Sequence, residues 1–179
     1  TMLALYALIE PEDHVISMYP TYQQLYDIPK SLGADVDLWE VEEDKGWLPD
    51  LDQLRRLIRP NTKMICINNA NNPTGALMDA AYLEELVAIA KEVDAYIFSD
   101  EVYRSFDQPA PSIVDLYDKG IAVNSLSKTY SIPGIRVGWV ASNTEVADIL
   151  RDYRDYTMIC AGVFDDMVAT LVLENREAI

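Results

Sequence analysis

Basic residues are scarce in this chain. Fourteen lysines and arginines stand against 30 aspartates and glutamates over 179 residues, a net charge of −16. Such a surface repels polyanions, which excludes nucleic acid and anionic membrane as partners. Histidine is scarcer still. His14 is the only one and reads as part of a turn opening a strand, so Ser-His-Asp hydrolysis and histidine-rich metal sites are both disfavoured. Cysteine occurs twice, Cys66 and Cys160, in apolar surroundings and without paired spacing. Both read as core thiols of a reducing, cytoplasmic compartment rather than as a disulfide or metal framework. No apolar run approaches the roughly 20 residues of a membrane span. Neither G-x-G-x-x-G nor G-x-x-x-x-G-K-[ST] occurs, so dinucleotide and nucleoside-triphosphate loops lack support. The acidic residues Asp35, Asp37, Glu40, Glu42, Glu43 and Asp44 lack a calcium-loop pattern and read as a solvated face. There is no internal repeat and no low-complexity segment.

What is present is apolar and regularly punctuated. Half of the residues are hydrophobic, enough for one domain with a sizeable core. An opening helix is expected over 2–9, a strand over 14–18 ending at Tyr19-Pro20-Thr21-Tyr22, and after it a helix through Leu32, interrupted at Pro29 and ended by Gly33. Strand 36–41 follows, then a helix capped at Asp50 and stopped before Pro60. Strand 64–67 leads into the polar run Asn68-Asn69-Ala70-Asn71-Asn72-Pro73-Thr74-Gly75. Residues 79–93 carry the clearest amphipathic pattern, with Leu83, Leu86, Val87 and Ala90 on one face. Strands over 95–99, 121–125 and 136–141 follow, and helices over 144–153 and 164–173 close the chain. Strands alternating with helices indicate a three-layer α/β/α sandwich with a mostly parallel central sheet. Ligands bind such sheets beyond the carboxyl ends of the strands. Four polar clusters fall there: Tyr22, residues 68–75, residues 100–103 and residues 125–128.

The last cluster organises the rest. Lys128 lies just past an apolar strand in Ser125-Leu126-Ser127-Lys128, and Arg136 follows after the turn at Pro133-Gly134. A deprotonated lysine amine forms a Schiff base with a carbonyl. A guanidinium and serine hydroxyls nearby hold a phosphate. Lysine with a phosphate cradle is what pyridoxal phosphate requires; the bland alternative is a solvated lysine before a turn. Asp100, at a buried strand end, is either a helix cap or structural ion pair, or a carboxylate that keeps a pyridinium protonated. Tyr103 is a core aromatic or a hydroxyl donor to a phenolic oxygen. Asn72 is a turn asparagine or a donor to that same oxygen. Tyr22 is packing or a stacking platform for a flat heterocycle. Glu101 is given no role.

In order along the chain stand Tyr19-Pro20-Thr21-Tyr22, Asn71-Asn72-Pro73-Thr74-Gly75, Ser99-Asp100-Glu101-Val102-Tyr103, and Ser125-Leu126-Ser127-Lys128 with Arg136-Val137-Gly138. This combination closely resembles the class I/II pyridoxal-phosphate-dependent aminotransferases of fold type I, the aspartate-aminotransferase-like superfamily, over essentially the whole chain. The resemblance implies that Lys128 binds the cofactor as a Schiff base and then moves the substrate α-proton. It implies that Asp100 pairs with the pyridine nitrogen, and that Tyr103 and Asn72 bond the phenolic oxygen. Tyr22 stacks on the ring, while Ser125 and Arg136, with Ser127 assisting, hold the phosphate. Substrates would be an α-amino acid and a 2-oxo acid, and the full-length protein a homodimer. The family's phosphate loop should lie before Thr1, and its small domain after residue 179. The chain is therefore expected to be the large cofactor-binding domain, residues 1–179, cut at both ends. Two other activities fit the same cofactor residues: a lyase or cyclase on this fold, and a non-catalytic effector domain of a transcriptional regulator.

Overall fold

Neighbouring residues of a strand point to opposite faces, and here both faces are apolar. Met64 and Cys66 alternate with Ile65 and Ile67, Val15 with Ile16, and Phe98 with Ile97, all fully buried. A sheet apolar on both faces must be covered on both. The computed structural model, which describes residues 1–104 and 110–179, shows this arrangement.

Six strands, β1 (His14–Tyr19), β2 (Asp35–Glu40), β3 (Thr62–Asn68), β4 (Tyr96–Asp100), β5 (Gly120–Ser125) and β6 (Gly138–Ala141), form one sheet in the order β2-β1-β3-β4-β5-β6. All pair in parallel except β6, which returns antiparallel along β5. Helices α1 (Met2–Leu8), α2 (Gln24–Ser31) and α6 (Thr144–Arg154) cover the face bearing Val15, Met64, Cys66, Phe98 and Val123. Helices α3 (Leu51–Leu57), α4 (Ala80–Glu92) and α5 (Ile113–Leu116) cover the face bearing Ile16, Ile65, Ile67 and Ile97. The expected three-layer sandwich is thus the observed one. Helix α7 (Val163–Glu174) lies outside these layers, against Leu126 and the Tyr130–Val137 turn. Among the described residues no helix is long and apolar enough to cross a membrane.

Several local expectations are corrected. Helix α2 runs through Pro29 to Ser31; the proline sits late in a short helix, removes one hydrogen bond, and buries its ring. The strand expected from residue 136 begins only at Gly138, because Pro133–Ile135 forms a 3₁₀ turn and Arg136 adopts a left-handed backbone, φ 49°. Helix α5 was not anticipated. Cys160 is exposed, in the segment linking α6 to α7, and is not a core thiol. His14 lies within β1 and is fully buried. Its Nδ1 is 2.7 Å from the Thr62 hydroxyl and its Nε2 3.2 Å from Asp37 Oδ2. Arg59 joins that cluster through ion pairs to Asp35 and Asp37, so these two aspartates are not simply solvated.

Candidate active site

The parallel strands deliver their carboxyl ends to one rim. Asn68, last in β3, is level with Asp100, last in β4, and Asp100 is level with Val123 of β5. Tyr19 ends β1 and Ser125 ends β5. Asp100 and Ser125 are themselves the last residues of β4 and β5, and Tyr22, Asn72, Tyr103, Ser127 and Lys128 follow strand ends within four residues; Arg136 comes later, after the turn at Pro133–Ile135.

Asp100 is 2% exposed. Its Oδ1 accepts from the Val102 N–H at 3.2 Å, and its Oδ2 is 3.5 Å from the Thr1 hydroxyl. Burial pushes its carboxyl above the usual carboxylate range, and the Val102 N–H offsets part of that. A buried carboxylate is stabilised in its ionised form by a cationic N–H donor, such as a pyridinium. The next residue turns the other way. Glu101 is buried and accepts from the Ile113 N–H at 3.0 Å, anchoring the start of α5.

The lysine turn packs against the segment after β4. Lys128 Nζ stands 5.7 Å from the centre of the Tyr103 ring, in cation–π range. The Thr129 hydroxyl donates to the Arg104 carbonyl at 2.9 Å, with the Val102 carbonyl 3.4 Å away. Ser125, Ser127 and Arg136 also meet. The Ser127 N–H donates to Ser125 Oγ at 3.3 Å. Arg136 donates to Ser127 Oγ at 3.4 Å and to the Pro133 carbonyl at 2.6 Å. Two hydroxyls and a guanidinium on one turn form an anion-binding set. The left-handed backbone of Arg136 is uncommon for a residue with a side chain, and here it accompanies the fold-back of the guanidinium onto the turn. Gly138 faces Ser125 across the β5–β6 pair; a Cβ there would meet the Asn124 carbonyl at 2.6 Å.

The run 68–75 is held by buried amides. Asn68 Nδ2 donates to the Asp100 carbonyl at 2.9 Å, and its Oδ1 accepts from the Asn72 N–H at 2.7 Å. The Asn69 side chain bonds both the N–H and the carbonyl of Met78. Asn71 donates to the Pro20 carbonyl at 3.1 Å and accepts from the Thr21 hydroxyl at 2.9 Å. This fastens the segment bearing Tyr22 to the segment bearing Asn72. Tyr22 and Asn72 themselves are exposed at the rim. The supporting residues Asn68, Asn71, Thr21 and Thr129 carried no assignment from sequence. For Asn68 and Asn71 the sequence signal was the density of asparagines at a strand end, where an unpaired buried amide is costly; Thr21 and Thr129 carried none.

The eight candidates thus gather at one rim: a lysine amine over a tyrosine ring, a buried carboxylate, and a hydroxyl–guanidinium cluster. That donor set suits a phosphorylated pyridine aldehyde. Known proteins with this architecture are numerous. A PLP-dependent aminotransferase from Streptococcus suis superposes with a TM-score of 0.96 at 76% identity, over 98% of this chain and 47% of that one. The aspartate aminotransferase of Thermotoga maritima is 34% identical over 96% of this chain and 47% of its own length. Capreomycidine synthase of Streptomyces vinaceus is 28% identical over 93% of this chain and 44% of its own. The chain therefore spans about half the length of the relatives it matches. The family described as aminotransferase class I and II matches residues 2–174, and with its sheet order, its rim and these relatives the chain belongs to that family.

Proposed function

We propose that the protein bearing this chain is a pyridoxal-phosphate-dependent aminotransferase that moves an amino group between an α-amino acid and a 2-oxo acid. The observation that carries this reading is the position of Lys128 over Tyr103, on a turn shared with Ser125, Ser127 and Arg136, at the same sheet rim as the buried Asp100. In this reading the chain is the cofactor-binding domain. The remainder of the protein supplies the substrate-carboxylate contacts, and a second copy completes a homodimer.

When bound, the cofactor supplies an electron sink for charge developing at the substrate α-carbon. Arg136, Ser125 and Ser127 hold its phosphate; the guanidinium fork contributes charge and direction. Asp100 keeps the ring nitrogen protonated, and a cationic N–H partner returns its carboxyl to the ionised form that burial alone opposes. Tyr103 and Asn72 donate to the phenolic oxygen, and Tyr22 covers a ring face. Lys128 would anchor the cofactor through its amine and, once that amine is released by the incoming substrate amine, would hold and move the substrate α-proton as a general base and acid.

Borohydride reduction of the loaded protein followed by peptide mapping tests this directly. Label on Lys128, abolished in Lys128→Ala, is the expected result; label on Lys63 or Lys91 overturns the assignment. A lyase or cyclase reading keeps the same cofactor residues, and the similarity to capreomycidine synthase favours testing it. Transfer of the amino group to an added 2-oxo acid distinguishes a transaminase from an enzyme that releases ammonia or closes a ring.

A further inference from the structure

We propose that Asn68 is a positioning residue that sets the spacing between Asp100 and Asn72, and through it the electronic state of the bound cofactor. The inference rests on the reading of Asp100 and Asn72 as contacts to two different atoms of one ring. Asn68 is 1% exposed, at the last position of β3. Both ends of its amide are used. Nδ2 donates to the Asp100 main-chain carbonyl at 2.9 Å, and Oδ1 accepts from the Asn72 main-chain N–H at 2.7 Å. The Asn69 N–H donates to that same Asp100 carbonyl at 2.9 Å, so the peptide after Asp100 is fixed by two donors.

One rigid amide therefore spans from the strand that carries the carboxylate to the loop that carries the exposed asparagine. No other side chain of this size does the same. Aspartate lacks the donor, leucine lacks both functions, and glutamine is a methylene too long. The Asn72 side chain stays exposed and available because its main chain is held from below. A ring gripped at its nitrogen by Asp100 and at its phenolic oxygen by Asn72 tolerates little error in their separation, and displacement of about 1 Å costs on the order of 100-fold in rate.

The test uses the full-length protein loaded with pyridoxal phosphate and compares wild type with Asn68→Leu and Asn68→Asp. The leucine removes both hydrogen bonds at similar volume. The aspartate keeps the acceptor for Asn72 and removes the donor to Asp100. Three quantities are read: kcat against KM, the pH midpoint of the visible absorption of the lysine-bound cofactor, and the urea unfolding midpoint. Expected for Asn68→Leu are a kcat loss of about 10- to 100-fold with KM changed less than about threefold, and a displaced pH midpoint. Asn68→Asp should displace the midpoint as well, with a smaller kcat loss; if the leucine variant does not fold, the aspartate variant decides alone. A lowered urea midpoint with kcat and absorption unchanged would show a merely structural asparagine and overturn the proposal. A wild type with no reducible lysine-bound band overturns instead the cofactor reading beneath it.

Discussion

Asp100 places a carboxyl group where water scarcely reaches, and the two roles of that group pull in opposite directions. Its folded pKa stands above its unfolded one because burial disfavours the ion. The stability this confers is complete below the unfolded value near 3.9 and is lost as pH rises through the raised value. At neutral pH the ionised group therefore costs stability in cofactor-free protein. Asp100→Asn removes that cost and also removes the partner of the ring nitrogen. We expect the cofactor-free variant to melt higher at pH 7, while the loaded enzyme loses about 10²–10³-fold in kcat and less than tenfold in cofactor affinity. Calorimetry and single-turnover kinetics check the two arms, and equal losses of rate and affinity would mark Asp100 as structural. His14 shows the converse. Burial, and then Arg59, hold its pKa below the ordinary 6.5. The unfolded chain thus takes up a proton before the folded one does, and stability falls as pH drops below about 6.5. His14→Gln should flatten that slope between pH 7.5 and 5.5 in urea titrations. It should also lower stability at pH 7.5 by about 1–3 kcal/mol through lost buried hydrogen bonds.

Among the elements, β6 is the most exposed to a small change, because its first residue must be glycine. A Cβ at Gly138 would lie 2.6 Å from the Asn124 carbonyl and 3.1 Å from Ser125 Cβ. Gly138→Ala should push β6 off β5 and move Ser125 with it. The expected cost is about 1–3 kcal/mol, a melting point lower by about 2–4 °C for each, with weakened phosphate binding. Gly134→Ala, which meets nothing within 4 Å, serves as the control; equal effects at both positions would remove the steric argument. The same elements show what could be read from sequence. Helix α4 was legible because Leu83, Leu86, Val87 and Ala90 repeat at helical spacing behind a capping aspartate, whose Oδ1 accepts from the Tyr82 N–H. The four clusters were legible because strand ends of a parallel sheet share a rim. Helix α5 spans four residues, too few for any period to show. The start of β6 was misread because Ile135, Val137 and Trp139 alternate like a strand, while the fold-back of Arg136 depends on Ser127, nine residues earlier. The burial of His14 was invisible locally, since Thr62 lies 48 positions away and Asp37 lies 23 away.

At the scale of the whole chain, charge and apolar surface compete. Phe164, Met167 and Leu171 of α7, with Tyr156, Met158 and Ile159 just before it, are all more than 60% exposed. Exposed apolar side chains in this number favour association, and a net charge of −16 opposes it at low ionic strength. The isolated chain should therefore self-associate more strongly in 500 mM than in 50 mM sodium chloride by sedimentation velocity. Phe164→Glu with Leu171→Lys should suppress the difference without lowering the melting point. A monomer at both salt concentrations would show that the face needs no cover. The asparagine-rich loop behaves in the opposite manner from this sticky face. Loops that grip ligands commonly freeze only on binding and lose conformational entropy at that moment. Here Asn68, Asn69 and Asn71 have already spent their amides on main-chain groups of Asp100, Asn72, Met78 and Pro20. The N–H groups of Asn69 and Asn72 should exchange with deuterium as slowly as those of β3, with or without ligand. The rim is then a finished mould, and a ligand that fits it binds without an ordering penalty from this loop.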